Sequence, residues 1–198
     1  MQETGLALVR EAACREFLQR VRAIETEAHD GFPGQRLLET MHEFVDHHRA
    51  LLPDADFGPP RAYSRMHPLS EAVDTPYGLY LNVTRPGKQA EPHCHGLWSV
   101  SVALSGRELN RFWRVVDQTS STQARVEETH SITLAPGTGL VMTPDDVHST
   151  LTLEGGEARM LHLFARPFDQ FPRVAFYHPA WGTRRLLPQG SGRTLRGG

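Results

Sequence analysis

Two imidazoles one residue apart, His93 and His95, are the side chains whose spacing most directly implies chemistry. On an extended strand, residues i and i+2 leave the same face. A strand through this point therefore sets both rings side by side, where they can grip one metal ion. Cys94 between them then faces the other way, as a buried and inert thiol. The pair alone says little, because the chain holds 11 histidines. Its flanks say more: Gly87 stands six residues before His93, Pro92 directly before it, and Gly106 eleven after His95. His42, His47 and His48 fall in a helical stretch and read as solvated side chains, and His130 and His178 read as peripheral.

This spacing resembles the first motif of the cupin superfamily, a glycine, five residues, then His-x-His and a later glycine. His148, in Thr143-Pro144-Asp145-Asp146-Val147-His148 with Gly137 eleven residues before it, is similar to the second motif. The resemblance implies a third ligand at His148, on a distant strand. Ser99 stands four residues after His95, where a cupin usually carries a ligating carboxylate, so the expected site is three histidines without one. Imidazole suits Fe, Zn, Cu and Ni alike.

The stretch HCHGLWSVSVALSGRELNRFWRVVD narrows the resemblance further. It looks like thiol dioxygenases of the cysteine dioxygenase type, and most like the bacterial 3-mercaptopropionate branch, over about residues 63–177. The resemblance implies an Fe(II) cofactor on His93, His95 and His148, adding both atoms of O2 to a small thiol acid to give a sulfinate. It implies His162 as an outer partner of the reaction. It also marks departures: the family's Ser-x-His-x-Tyr reads Met160-Leu161-His162-Leu163-Phe164, so a hydroxyl is lost at Phe164 and the pocket is drier. The family's cysteine-to-tyrosine crosslink is excluded, with Phe164 and Val100 at the two places. Arg65, in a Tyr-x-Arg that also offers Tyr63 as a polar tip near the metal, and Arg173 are candidates to hold a substrate carboxylate bidentately. Arg166 is a further one. Trp98, Phe164 and Met160 are candidate pocket-lining residues, although a strand tryptophan is more often core. Two alternatives stay open: a three-histidine cupin oxidising a non-thiol chelating substrate, and a cupin that binds a metal or small ligand without turnover.

The elements that must position these residues follow from pattern. Val9, Ala13, Phe17, Val21 and Ile24 recur at helical spacing and predict a helix over 7–29. Gly31-Phe32-Pro33-Gly34 breaks it, and Leu37, Leu38, Met41, Phe44 and Val45 mark a second over about 35–52. Beyond a proline-rich linker the texture changes to short strands over 77–84, 98–104, 108–116, 125–134, 147–153 and 158–165, with Pro-Gly, Ser-Gly and Gly-Gly turns between them. Evenly spaced short strands suggest a barrel or jelly roll. The expected fold is mainly β, a cupin double-stranded β-helix with an N-terminal two-helix segment. The expected division is 1–58 helical, 59–181 barrel and 182–198 a loose tail, of which Arg184–Leu187 can dock.

Composition sets the outer limits. The formal net charge is −2 over 198 residues, which gives no footprint for nucleic acid or a membrane surface. Two cysteines are too few for a disulfide scaffold and point to a cytoplasmic setting. No apolar run approaches the roughly 20 residues of a spanning helix. The partners expected are a small thiol and O2, with the chain a monomer or homodimer.

Overall fold

A computed structural model describes residues 2–29, 31–58, 63–71, 73–172 and 174–187. Helices α1 (Gln2–Glu27) and α2 (Gly34–His48) come first. Eleven strands follow: β1 (Ser64–Pro68), β2 (Gly78–Thr84), β3 (Gln89–Cys94), β4 (Ser99–Ser105), β5 (Glu108–Gln118), β6 (Ala124–Leu134), β7 (Gly139–Met142), β8 (Val147–Thr152), β9 (Ala158–Phe164), β10 (Val174–His178) and β11 (Thr183–Leu187). They form two antiparallel sheets, one ordered β1-β2-β9-β4-β7 and the other β11-β10-β3-β8-β5-β6. Mainly β, with two facing sheets and two helices in front, this is the cupin double-stranded β-helix expected. Among the described residues no helix is long and apolar enough to cross a membrane.

The five-stranded sheet is buried on both faces, one apolar and one more polar, so β2, β4 and β9 alternate along their length. Leu79, Leu81 and Val83 of β2, Val100 and Val102 of β4, and Leu161 and Leu163 of β9 turn outward. The helices cover them with Phe17, Val21, Leu37, Met41 and Phe44. Each such side chain, fully buried, contributes about 1.5–3 kcal/mol. The alternate positions, Asn82 and Thr84, Ser101, and His162 and Phe164, face the second sheet and line a cavity. A carboxylate pins the helical layer in place. Glu25 of α1 accepts hydrogen bonds from the Trp98 indole at 3.0 Å and from the Tyr77 hydroxyl. Burial and this bond push the Tyr77 phenol pKa well up.

Two local features set the geometry of the inner face. Gly106 turns β4 into β5 at φ +69, and a Cβ there would lie 2.4 Å from the Glu157 carbonyl oxygen, so only glycine fits. In β3, Ala90 opposes Thr150 but His93 opposes His148, a one-residue shift that marks a bulge at Glu91-Pro92. Without the bulge His93 would alternate to the outer face; with it, His93 points inward. Pro92, which has no N–H to donate, is at home there.

The tail expected from 182 is ordered at its start: β11, which holds the Arg184–Leu187 stretch expected to dock, pairs with β10 at all five residues; residues 188–198 lie outside the described ones. Strands β1, β3, β7, β10 and β11 are too short or too polar to stand out as alternating runs.

Candidate metal centre

His93, His95 and His148 meet on the inner face, each under a tenth exposed, with their ligand atoms all within 4.8 Å of one another. Each comes from a different piece of local structure. His93 leaves the bulged end of β3, His95 follows one residue after that strand, and His148 is the cross-strand partner of His93 on β8. His93 Nδ1 donates to the Glu91 carbonyl at 2.8 Å, inside the bulge. Its Nε2 therefore carries a lone pair, and that lone pair faces His95 Nε2 3.1 Å away. His148 Nδ1 donates to Asn110 Oδ1 at 2.9 Å, and Asn110 Nδ2 donates in turn to Glu108 at 3.1 Å. His148 Nε2 is buried and has no partner among the described residues.

These features fit a metal ion. Imidazole nitrogens about 2.1 Å from one ion stand roughly 3 Å apart at right angles, close to the His93–His95 separation. When His95 Nε2 also carries a lone pair, the two acceptors repel, and a cation between them relieves this. Metal-ligating imidazoles hold their other nitrogen to a carbonyl or amide in this way, which fixes tautomer and ring orientation. Burial lowers the pKa of all three rings, with the charges of neighbouring imidazoles adding to it at His95 and His148. The three are thus neutral, the form a metal requires. Among the described residues no carboxylate joins the cluster; Ser99 on β4 is fully buried, its hydroxyl without a partner among them.

A cavity of about 280 Å³ opens from this cluster. Phe164, Phe168 and Phe176 form its apolar wall: Phe164 meets His95 edge-on at 5.3 Å, and Phe176 stacks on His93 at 5.2 Å. His162 lines it too and lies in a parallel stack with Phe164. Its Nδ1 is 2.7 Å from Ser101 Oγ, and its Nε2 is shielded and unpartnered. Burial pulls its pKa down to about 4, so it stays neutral. With the Ser101 hydroxyl donating to Nδ1, Nε2–H becomes a hydrogen-bond donor aimed into the cavity.

Other candidates fall elsewhere. Phe164 lines the cavity, whereas Met160, with the same inward parity, is packed among Ala103, Phe112 and Leu140 and is not a cavity-lining residue. Trp98 is not a pocket residue: it packs with Phe32 and Tyr77 in the helix–sheet seam. Tyr63 is 60% exposed and outside the cavity. Ser64 and Met66 line the cavity from β1, so the strand's alternation turns Arg65 away from it, exposed. Arg166 is exposed and also outside it. Arg173 lies outside the described residues. Cys94 faces outward, packed beside Ala175 and Tyr177. Four cavity residues carry no motif. Ser101, Glu108 and Asn110 are polar residues at inward positions of apolar strands, a parity signal visible once the strands are aligned. Arg185 falls in the stretch expected to be a tail. Its guanidinium lies over Phe176 at 4.9 Å, and Arg185, Phe176 and His93 stand in one cross-strand row.

No family model matches the chain, and no curated protein does. Solved structures with a similar fold include an oxalate oxidase in complex with glycolate (15% identity over 54% of this chain and 53% of that one, TM-score 0.41). They also include a cupin superfamily protein from Desulfitobacterium hafniense (16%, 57% and 86%, 0.41) and a protein from Thermus thermophilus (19%, 58% and 96%, 0.43). The chain spans about half the length of that oxalate oxidase. The fold class rests on the strand order and pairings above rather than on these likenesses. The protein has a cupin fold and carries, at its inner face, a three-histidine cluster suited to a metal.

Proposed function

We propose that the protein is a non-haem Fe(II) dioxygenase that oxidises a small thiol acid to its sulfinate with O2. The observation that carries this reading is the ligand set: three neutral, buried imidazoles with Ser99 in place of a carboxylate. Such a set leaves an iron site more positive than one with an anionic ligand, and a thiolate is a natural ligand for it. Bound iron would supply activation of O2 and a template for oxygen transfer to sulfur.

The chain's own residues do the rest. The bulge and Asn110 hold His93 and His148 by their Nδ1 atoms. Phe164, Phe168 and Phe176 exclude water from one side. His162, oriented by Ser101, offers its Nε2–H to a polar atom of the substrate. Among the described residues Lys88 and Arg185, which line the cavity, are the cations that can reach a substrate carboxylate, Arg65 being turned away. Arg173 is kept as a candidate from the sequence. Enzymatic O2 uptake by Fe(II)-loaded protein with cysteine, 3-mercaptopropionate, cysteamine and mercaptosuccinate tests the reading. Stoichiometric sulfinate that disappears in His148→Ala is the expected result. No uptake with any thiol, at full iron loading, refutes it.

A second reading is favoured by the volume and aromatic wall of the cavity, which exceed what a three-carbon thiol requires. It is oxidation of a larger, non-thiol chelating substrate on the same three histidines. Metal-dependent O2 consumption with such chelators in the absence of thiol separates the two.

A further inference from the structure

Two buried groups on the inner face each lack a partner of opposite charge. Glu108 is 5% exposed, and its carboxyl accepts a hydrogen bond from Asn110 Nδ2 at 3.1 Å. Among the described residues no ion pair reaches it: Arg185, which lines the same cavity, leans toward Glu91, 3.7 Å away. A buried carboxylate without a counter-charge is costly. Burial pushes the Glu108 pKa up to about 7, with the Asn110 bond pulling the other way. The histidine cluster has the converse defect. Three neutral imidazoles, with no carboxylate beside them among the described residues, leave a bound divalent ion with its full charge in a buried site.

The two defects are joined. Asn110, 1% exposed, bridges them in one direction: its Nδ2 donates to Glu108 and its Oδ1 accepts from His148 Nδ1 at 2.9 Å. That polarity leaves the His148 Nε2 lone pair free for a metal. Glu108 and Asn110 stand two residues apart on the inward face of β5, so one strand holds carboxyl and amide in line. Negative charge at Glu108 strengthens the bond from Asn110 Nδ2 and polarises the amide. Oδ1 becomes a better acceptor in turn, because hydrogen bonds in a chain reinforce one another. His148 then presents a more basic Nε2. We infer that Glu108 is a positioning residue that supplies the site's negative charge at a distance, through Asn110 to His148. The anion of the site stands at the end of a two-bond relay, and more of the coordination sphere stays open to ligands. The bound ion is in turn the counter-charge that Glu108 lacks. The inference needs only a divalent ion on the three histidines, and it holds under either reading of the reaction.

The test needs no turnover. Zn(II) alone is the probe, in competition with a chelator of known affinity, at a fixed pH above the Glu108 pKa. Glu108→Gln keeps the side-chain shape and an oxygen to accept from Asn110, and removes only the charge. It is expected to bind Zn(II) about tenfold more weakly, at the lower end of what loss of an outer partner costs. The ¹⁵N shift of His148 Nδ1 in the Zn(II) protein moves toward that of a weakly hydrogen-bonded imidazole. Loaded with iron, the variant favours Fe(II) over Fe(III) by about a further tenfold, a potential about 59 mV higher, because the more highly charged ion gains more from the anion. In an Asn110→Ala background the same change alters Zn(II) affinity by less than about twofold, since the relay is already cut. A carboxyl that serves only to hold Asn110 in place leaves Glu108→Gln at wild-type affinity, shift and potential, with Glu108→Ala alone impaired; that result overturns the inference. An equal loss with Asn110 present and absent also overturns it, because the charge then acts across the cavity and not through the relay.

Discussion

Replacing Asn110 by alanine isolates the part of the site that holds His148 without touching a ligand. The wild-type side chain accepts from His148 Nδ1 at 2.9 Å and donates to Glu108 at 3.1 Å. Alanine removes both bonds. One neutral hydrogen bond is worth about 0.5–1.5 kcal/mol, and a metal-bound imidazole, being polarised, leans on its acceptor more heavily. Loss of such an outer partner typically costs 10- to 100-fold in metal affinity, or about 1.4–2.7 kcal/mol at 1.36 kcal/mol per tenfold. The assay is competition for Zn(II) or Fe(II) against a chelator of known affinity, at constant pH. Asn110→Ala should bind 10- to 100-fold more weakly, while Asn110→Asp, which keeps an acceptor for Nδ1–H, stays within a few-fold of wild type. Unchanged affinity in Asn110→Ala, with an unchanged melting curve, would falsify the claim that this relay orients His148.

Further outcomes follow from the same geometry. Ser101→Ala should leave metal affinity unchanged but lower kcat about fivefold, the equivalent of one hydrogen bond; ¹⁵N chemical shifts of His162 should show the loss of a single tautomer. Glu25→Ala strands the Trp98 and Tyr77 donors in the seam and should destabilise the fold by about 1–3 kcal/mol, lowering Tm by a few degrees per kcal/mol, with no change in metal binding. The metal-free protein should lose stability as pH falls from about 6.5 toward 4. Burial lowers the folded-state pKa of His93, His95, His148 and His162, so the unfolded chain binds protons first over that range. Glu108 opposes this, because its raised pKa lets the folded state bind the extra proton between 4.5 and about 7. Four groups outweigh one, and Glu108→Gln should make the acid-side fall in Tm steeper.

The three-histidine cluster was legible because its members come with glycine punctuation and a strand period of two. The helices were legible from Phe17, Val21, Leu37 and Met41, whose spacing is the buried stripe itself. What the sequence concealed lies in parity and pairing. Trp98 is one residue from an inward position, yet it faces the helices, where Glu25 takes its N–H. Arg65 is one residue from Ser64 and Met66 and so is turned the wrong way. Asn110 and Glu108 look like ordinary strand polar residues until their inward parity is known. Arg185 matters only because β11 pairs with β10, a long-range choice that a short basic segment does not announce.

The pairing of β10 with β3 also bears on the order in which the site is made. His93 sits on a strand flanked by β8 on one side and β10 on the other, and its partner residue on β10, Phe176, is made 83 residues later. While the chain is being synthesised, the His-x-His pair emerges long before the strand that closes over it. The helices and the five-stranded sheet can collapse on each other first, since their shared core ends at Leu163. The ligand cluster is then one of the last parts to become rigid, and a metal taken up before that moment meets loose imidazoles rather than a preset triangle. Selectivity for one ion over another would therefore be set by the finished barrel rather than by the nascent chain.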